Sequence, residues 1–182
     1  REIRDQHPNC FDKNVFAMNI IDALNKTRFI GVGNPSENGS PLLYSFRQEN
    51  SLSINNFISM NDAFKAPAHS VEHYIFIDDF CGSGHQVTEI LEGYVRSAKT
   101  LNPNCKCHYY CLVGMRSGIE YAKNNAGFDS VEAVFELDSS FNVFADESQI
   151  LIDEDGKDTK AVFKDLCDKF FDYYRSSDPN IT

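Results

Sequence analysis

The stretch Tyr74-Ile75-Phe76-Ile77-Asp78-Asp79-Phe80-Cys81-Gly82-Ser83-Gly84-His85-Gln86 decides the fold. Its first four residues are apolar without a break. That is the pattern of a strand buried on both faces, as in a parallel sheet. Two acids end the run, and Gly82-Ser83-Gly84 punctuates the chain. Val87, Ile90, Leu91, Tyr94 and Val95 then recur at helical spacing. Strand, loop and helix in this order put the acids at the carboxyl end of a strand, where open α/β sheets bind ligands. Glycines let the backbone approach an anion closely, and the free amides of a helix start point at it. Ser83 adds a hydroxyl donor. Carboxylates repel phosphate, so Asp78 and Asp79 suit neutral hydroxyls or a cation. The combination fits a phosphorylated sugar, with its phosphate on the loop and its hydroxyls on the acids. A plain strand-end turn with glycine punctuation is the competing reading of the same residues.

Upstream, Asp12 to Leu24 has helical spacing, with Asp12 as N-cap. Arg28 to Val32 is a short apolar run, followed by turn formers from Gly33 to Ser40. Pro41 to Arg47 reads as a helix with Ser40 as N-cap and Pro41 in its first position. Gln48 to Ser70 is weakly patterned and long for a connection. It is either a functional excursion or flap, or an irregular surface loop with a short hairpin.

Downstream, Cys107 to Val113 is a strand, Gly114 a turn, the region of Ile119 and Ala122 a short helix, and Val131 to Leu137 a further strand. Asp153 to Asp158 resembles a calcium loop but fails its pattern, because Leu151 and Val162 would occupy the first and twelfth ligand positions. It reads as a solvated turn. Thr159 to Tyr174 is an amphipathic helix whose stripe, Val162, Phe163, Leu166, Cys167, Phe170, Phe171 and Tyr174, is expected to be core in preference to a partner interface. The repeated β-α order predicts an α/β fold with a mostly parallel central sheet flanked by helices and joined by right-handed crossovers.

The chain has 182 residues and a net charge of −10. The length suits one domain, and the charge argues against non-specific nucleic-acid binding, which rests on Lys and Arg neutralising phosphates. Backbone amides can still form a local anion site. No apolar run approaches the ~20 residues needed to cross a bilayer, and no basic-then-apolar leader is present. The chain starts at Arg1 rather than Met, which suggests a fragment of a longer protein. The six cysteines are read as reduced and the protein as cytoplasmic. On a strand, residues 105, 107, 109 and 111, three of them cysteines, share a face while His108 points away. They are read as buried core rather than as a zinc site, and no metal-ligand set is assigned.

Four apolar residues, two acids, then small-Ser-Gly resembles the phosphoribosyl pyrophosphate (PRPP) signature of type I phosphoribosyltransferases. The form Phe76 to Gln86 is similar to the PRTase-CE branch found in bacterial conflict and defence systems. The resemblance implies a single phosphoribosyltransferase-like domain over 1–182, with a core at about 28–137 and flanking helices at 12–25 and 159–175. It implies that Asp78 and Asp79 hold ribose hydroxyls and the environment of a cation, as the catalytic acids. Gly82, Ser83, Gly84, His85 and Gln86 would wrap the 5-phosphate. The loop of Gly33, Asn34, Ser36 and Gly39 would face the pyrophosphate. Gln48 to Ser70 falls where the family keeps its flexible catalytic loop. Mg²⁺ would be bound mainly through the substrate. The ligand would be PRPP, a nucleotide or a related sugar phosphate, and the chemistry phosphoribosyl transfer or N-glycosidic bond cleavage or formation. The implied setting is an anti-phage defence assembly with protein partners, in which a non-catalytic sensing or scaffold module is the alternative role. Three features depart from the family pattern: His85 and Gln86 replace a small residue and Thr, no Arg or Lys lies between Arg28 and Arg47, and no base-recognition element follows Val134 to Asp138. On its own chemistry, His85 reads as a surface residue at a helix start and His108 as structural. Arg116 is either an anion contact or a solvated surface residue.

Overall fold

The computed structural model describes residues 13–33, 39–63, 70–151 and 159–177. The chain divides into two compact units, Arg1–Glu136 and Leu137–Thr182. In the first, α1 (Lys13–Asn25) leads into β1 (Thr27–Gly31), α2 (Gly39–Glu49) and the short β2 (Phe57–Ile58). Then come β3 (His73–Cys81), α3 (His85–Leu101), β4 (Lys106–Met115), α4 (Arg116–Asn125) and β5 (Ser130–Leu137). The strands form one five-stranded, all-parallel sheet in the order β2-β1-β3-β4-β5, with helices alongside. β3 is its middle strand, as an unbroken apolar run requires.

Burial on β3 alternates. Tyr74 and Phe76 are closed off from solvent, while Ile75 and Ile77 are half-buried. Within the apolar run full burial is thus confined to one face, and the other face is closed off only at Cys81. The face of Tyr74 and Phe76 meets Cys107, Tyr109 and Cys111 of β4, which alternate with the half-buried His108 and Tyr110. Phe128 closes the layer, packing edge-on to Phe76 at 5.8 Å between ring centres. α3 contributes Val87, Leu91, Val95 and Ala98, a stripe spaced three and four residues apart. The cysteines therefore serve as core, and burial pushes the thiols of Cys107 and Cys111 up to about 12.

Several boundaries differ from the sequence reading. β3 does not stop at the acids but runs through them to Cys81, because ladder pairing with β4 continues as far as Cys81↔Gly114. α2 begins at Gly39, ahead of the expected Ser40 cap, and extends to Glu49. The weakly patterned stretch holds no hairpin among its described residues. It contributes β2, which extends the sheet beside β1 through Phe29↔Phe57 and Ile30↔Ile58. Phe29 and Phe57 stack at 5.1 Å and Phe46 of α2 caps them edge-on at 5.3 Å from Phe29. Two residues cannot show a periodicity, so composition alone hid this strand. The expected acidic turn at Asp153 to Asp158 lies outside the described residues.

In the second unit a one-turn helix at Ser139–Phe141 precedes α5 (Thr159–Ser177). Phe144 stacks on Phe163 at 6.0 Å. The Lys160 ammonium donates to the carbonyls of Ala145 and Asp146 at 2.7 and 2.8 Å. Elsewhere on the stripe Val162, Leu166, Phe170 and Phe171 are exposed and Cys167 is half-buried.

Candidate functional site

A cleft of about 960 Å³ opens at the carboxyl ends of β1, β2 and β3. It falls within the size of sites that enclose small organic ligands. Gly31 to Gly33 form one part of its wall, Phe57 to Asn61 another, and the run from Asp78 to Gly84 a third. The first three turns of α3 supply Gln86, Val87, Ile90 and Tyr94. Among the described lining residues, Asp78 and Asp79 carry the charge, and no Lys or Arg is present.

The loop Gly82-Ser83-Gly84 feeds α3 through Gly84, the N-cap, at φ +79°. This left-handed conformation is costly for any residue with a Cβ. It also turns the chain abruptly enough to leave the helix start open. α3 has no side-chain cap at that end, so amide donors of its first turn remain for an anion. Ser83 Oγ accepts weakly from the His85 amide at 3.5 Å.

The two acids sit in different surroundings, since consecutive residues of a strand alternate between its faces. Asp78 follows Phe76 on the buried side. Its Oδ2 accepts from the Tyr109 hydroxyl at 2.8 Å and its Oδ1 from the Asp79 amide at 3.0 Å. Burial pushes the Asp78 carboxyl up to about 6, against the opposing effect of those two donors, while the charge of Asp79 adds to the rise. Burial holds the Tyr109 hydroxyl far above its ordinary range, so it stays protonated and donates. Burial likewise raises the Cys81 thiol in the cleft wall. It stays the neutral thiol, a poor nucleophile.

The cleft thus gathers Gly33, Asp78, Asp79, Gly82, Ser83, Gly84 and Gln86. His85 turns away and stacks on Tyr121 at 4.1 Å between ring centres. This fits a surface residue at a helix start and takes its ring, though not its backbone amide, away from the loop. Asn34, Ser36 and Lys65 lie outside the described residues, and Gly39 is the first residue of α2. Arg116 pairs with Glu136 at 3.7 Å. His108 Nε2 meets His73 Nδ1 at 3.1 Å, and its Nδ1 meets Ser130 Oγ at 2.8 Å, which is a structural role.

The sequence profile of the PRTase-CE family matches residues 1–180. The chain belongs to this family. It is accordingly a phosphoribosyltransferase-like domain on an α/β fold. No curated protein matches the chain, and no solved structure matches it.

Two residues of this PRTase-CE chain matter to the site although the sequence reading passed over them. Gly118, in the first turn of α4, lies against the loop. A Cβ there would stand 1.9 Å from the Gly82 carbonyl oxygen, and one on Gly84 would stand 2.3 Å from the Gly118 carbonyl oxygen. The signal was a glycine near a helix start, where the residue is unfavourable unless something approaches closely. Tyr109 is the other. A tyrosine on a strand face otherwise lined by cysteines needs a partner for its hydroxyl, and Asp78 supplies it.

Proposed function

We propose that the cleft binds a phosphorylated ribose, as PRPP, a nucleotide or a related sugar phosphate. The phosphate would lie on the amides of Gly82 to Gln86 and the sugar hydroxyls on Asp78 and Asp79. The observation that carries this reading is the open, uncapped start of α3 beside two carboxylates in one cleft. An anion is favoured at the first site and repelled by the second, which accepts hydroxyl protons instead.

Among the described residues no group of three or more His, Cys, Asp or Glu is placed to hold a metal ion. Two adjacent carboxylates in the cleft fit an Mg²⁺ ion held mostly by ligand oxygens, as this ion often is. Asp78 and Asp79 would be those carboxylates. Bound there, the ion would neutralise a departing pyrophosphate. The chain's own residues would orient the sugar and, through the same acids, favour positive charge developing at its anomeric carbon.

A second reading is a sensing or scaffold module within an anti-phage defence assembly, with protein partners. The lack of Lys or Arg among the described lining residues favours it, because a transferase must stabilise its leaving group. Calorimetry with ribose 5-phosphate and PRPP, with and without Mg²⁺, tests binding. Pyrophosphate release from PRPP over a panel of bases and nucleotides separates the two roles. Binding with slow or absent release by the lone domain is expected, and rapid release would establish the transferase. Absence of any binding would defeat both readings.

A further inference from the structure

We infer that Tyr109, which lines no part of the cleft, is a positioning residue of the sugar site: it fixes the Asp78 carboxylate as a preformed acceptor for sugar hydroxyls. The inference rests on the sugar-phosphate reading above and adds a residue to it. Tyr109 lies on β4, one strand away from the acids, and is completely buried. In the ladder its Cα is opposite Phe76, and Cys111 is opposite Asp78. The tyrosine therefore reaches along the buried face to the acid two residues beyond its own partner.

The geometry leaves Asp78 little freedom. Each carboxylate oxygen already accepts one hydrogen bond, from the Tyr109 hydroxyl at 2.8 Å and from the Asp79 amide at 3.0 Å. A carboxylate has about four acceptor positions, so those left over are aimed by the two bonds that hold it. The amide donor belongs to the next residue of the same strand. The hydroxyl is the long-range constraint, and Tyr109 is itself fixed between Phe128, at 5.8 Å between ring centres, and the cysteine face of β4. Taking the hydroxyl away leaves a buried oxygen without its donor and frees the side chain to turn. The glycines of the phosphate loop, Gly82 to Gln86, are braced by Gly118 and not by Tyr109.

The test compares two ligands, inorganic phosphate and ribose 5-phosphate, by calorimetry in Mg²⁺ on the whole chain. The proteins are the wild type, Tyr109→Phe, Asp78→Asn and the double variant, with melting temperatures recorded for each. The wild type is expected to bind ribose 5-phosphate more tightly than phosphate. Tyr109→Phe should lose about tenfold for ribose 5-phosphate, the scale of one hydrogen bond to a charged group, with phosphate affinity unchanged. Adding Tyr109→Phe to Asp78→Asn should cost nothing further, because the tyrosine acts through the acid. Equal loss for both ligands, no loss for either, or full additivity in the double variant would overturn the inference. Should Tyr109→Phe fail to fold, 3-fluorotyrosine at this position keeps the volume and alters the donor. A changed ratio of the two affinities then supports the inference, and an unchanged ratio overturns it. A wild type that binds neither ligand, or binds both equally, defeats the sugar-phosphate reading instead.

Discussion

The chain passes from strand to helix at two neighbouring places in very different ways. After β3 it takes three residues, Gly82, Ser83 and Gly84, and opens α3 without a side-chain cap. After β4 it takes none: the strand ends at Met115 and α4 begins at Arg116. The first turn looks like the site and the second like plain connection. Yet the tight turn is what brings Gly118 under the loose one, with no room for a Cβ on either side. A loop rich in glycine is not shaped by its glycines alone. Its neighbour provides the surface against which the backbone is set, and the stiffness that the loop's composition lacks.

Gly118→Ala is expected to have the largest effect on this pairing. An added methyl 1.9 Å from the Gly82 carbonyl cannot be relieved by a side-chain rotation. Overpacking of this kind costs about 3 kcal/mol, a fall of roughly 6–12 °C in melting temperature for a chain of this size. Phosphate affinity should fall with it. A variant of wild-type stability would show that the two turns are not braced against each other.

Gly84→Ala comes next. It combines a left-handed φ of +79° with a contact 2.3 Å from Gly118 O. The conformational part alone costs about 1–2 kcal/mol. Because both variants strain the same contact, thermal unfolding of the double variant should show less than the sum of the two losses. Strict additivity would mean that they act independently.

Asp78→Asn sharpens the comparison from the strand side. The Asp78 carboxyl is pushed up to about 6 in the folded chain from an ordinary 3.8. A raised carboxyl pKa means that the folded state holds the proton more tightly than the unfolded state. This group's contribution to stability is therefore full below about 3.8 and lost as pH rises through about 6. Asn can accept from the Asp79 amide and turn its own amide to Tyr109 without carrying charge. The variant should melt above the wild type at pH 7, and the gap should close toward pH 4. A gap independent of pH would remove burial of the charge as its cause.

The smallest effect is the control. Gly93, on α3, has open space where a methyl would stand, with no other atom within 4 Å of that point. Gly93→Ala should add about 0.5–1 kcal/mol through helix propensity alone, leaving ligand affinity where it was. A loss of stability there would mean that α3 tolerates no change anywhere, and that the Gly84 result says little about its cap.

By itself the sequence determined the α/β class, the central placement of β3, the glycine loop and the acids beside it. These follow from local patterns: an unbroken apolar run, turn residues and a helical stripe, each readable within about ten residues. The pleat that separates the surroundings of Asp78 and Asp79 depends on how far pairing with β4 continues, which no feature of β3 announces. The two-residue β2 was hidden for the same reason, since its identity lies in its pairing with β1. The tertiary structure alone decided that Tyr109 would hold Asp78 across 31 residues of chain and that Gly118 would lie under Gly82. Such partners are chosen by strand register and helix packing. Periodicity and composition record which face a residue prefers, whereas register decides what it meets there.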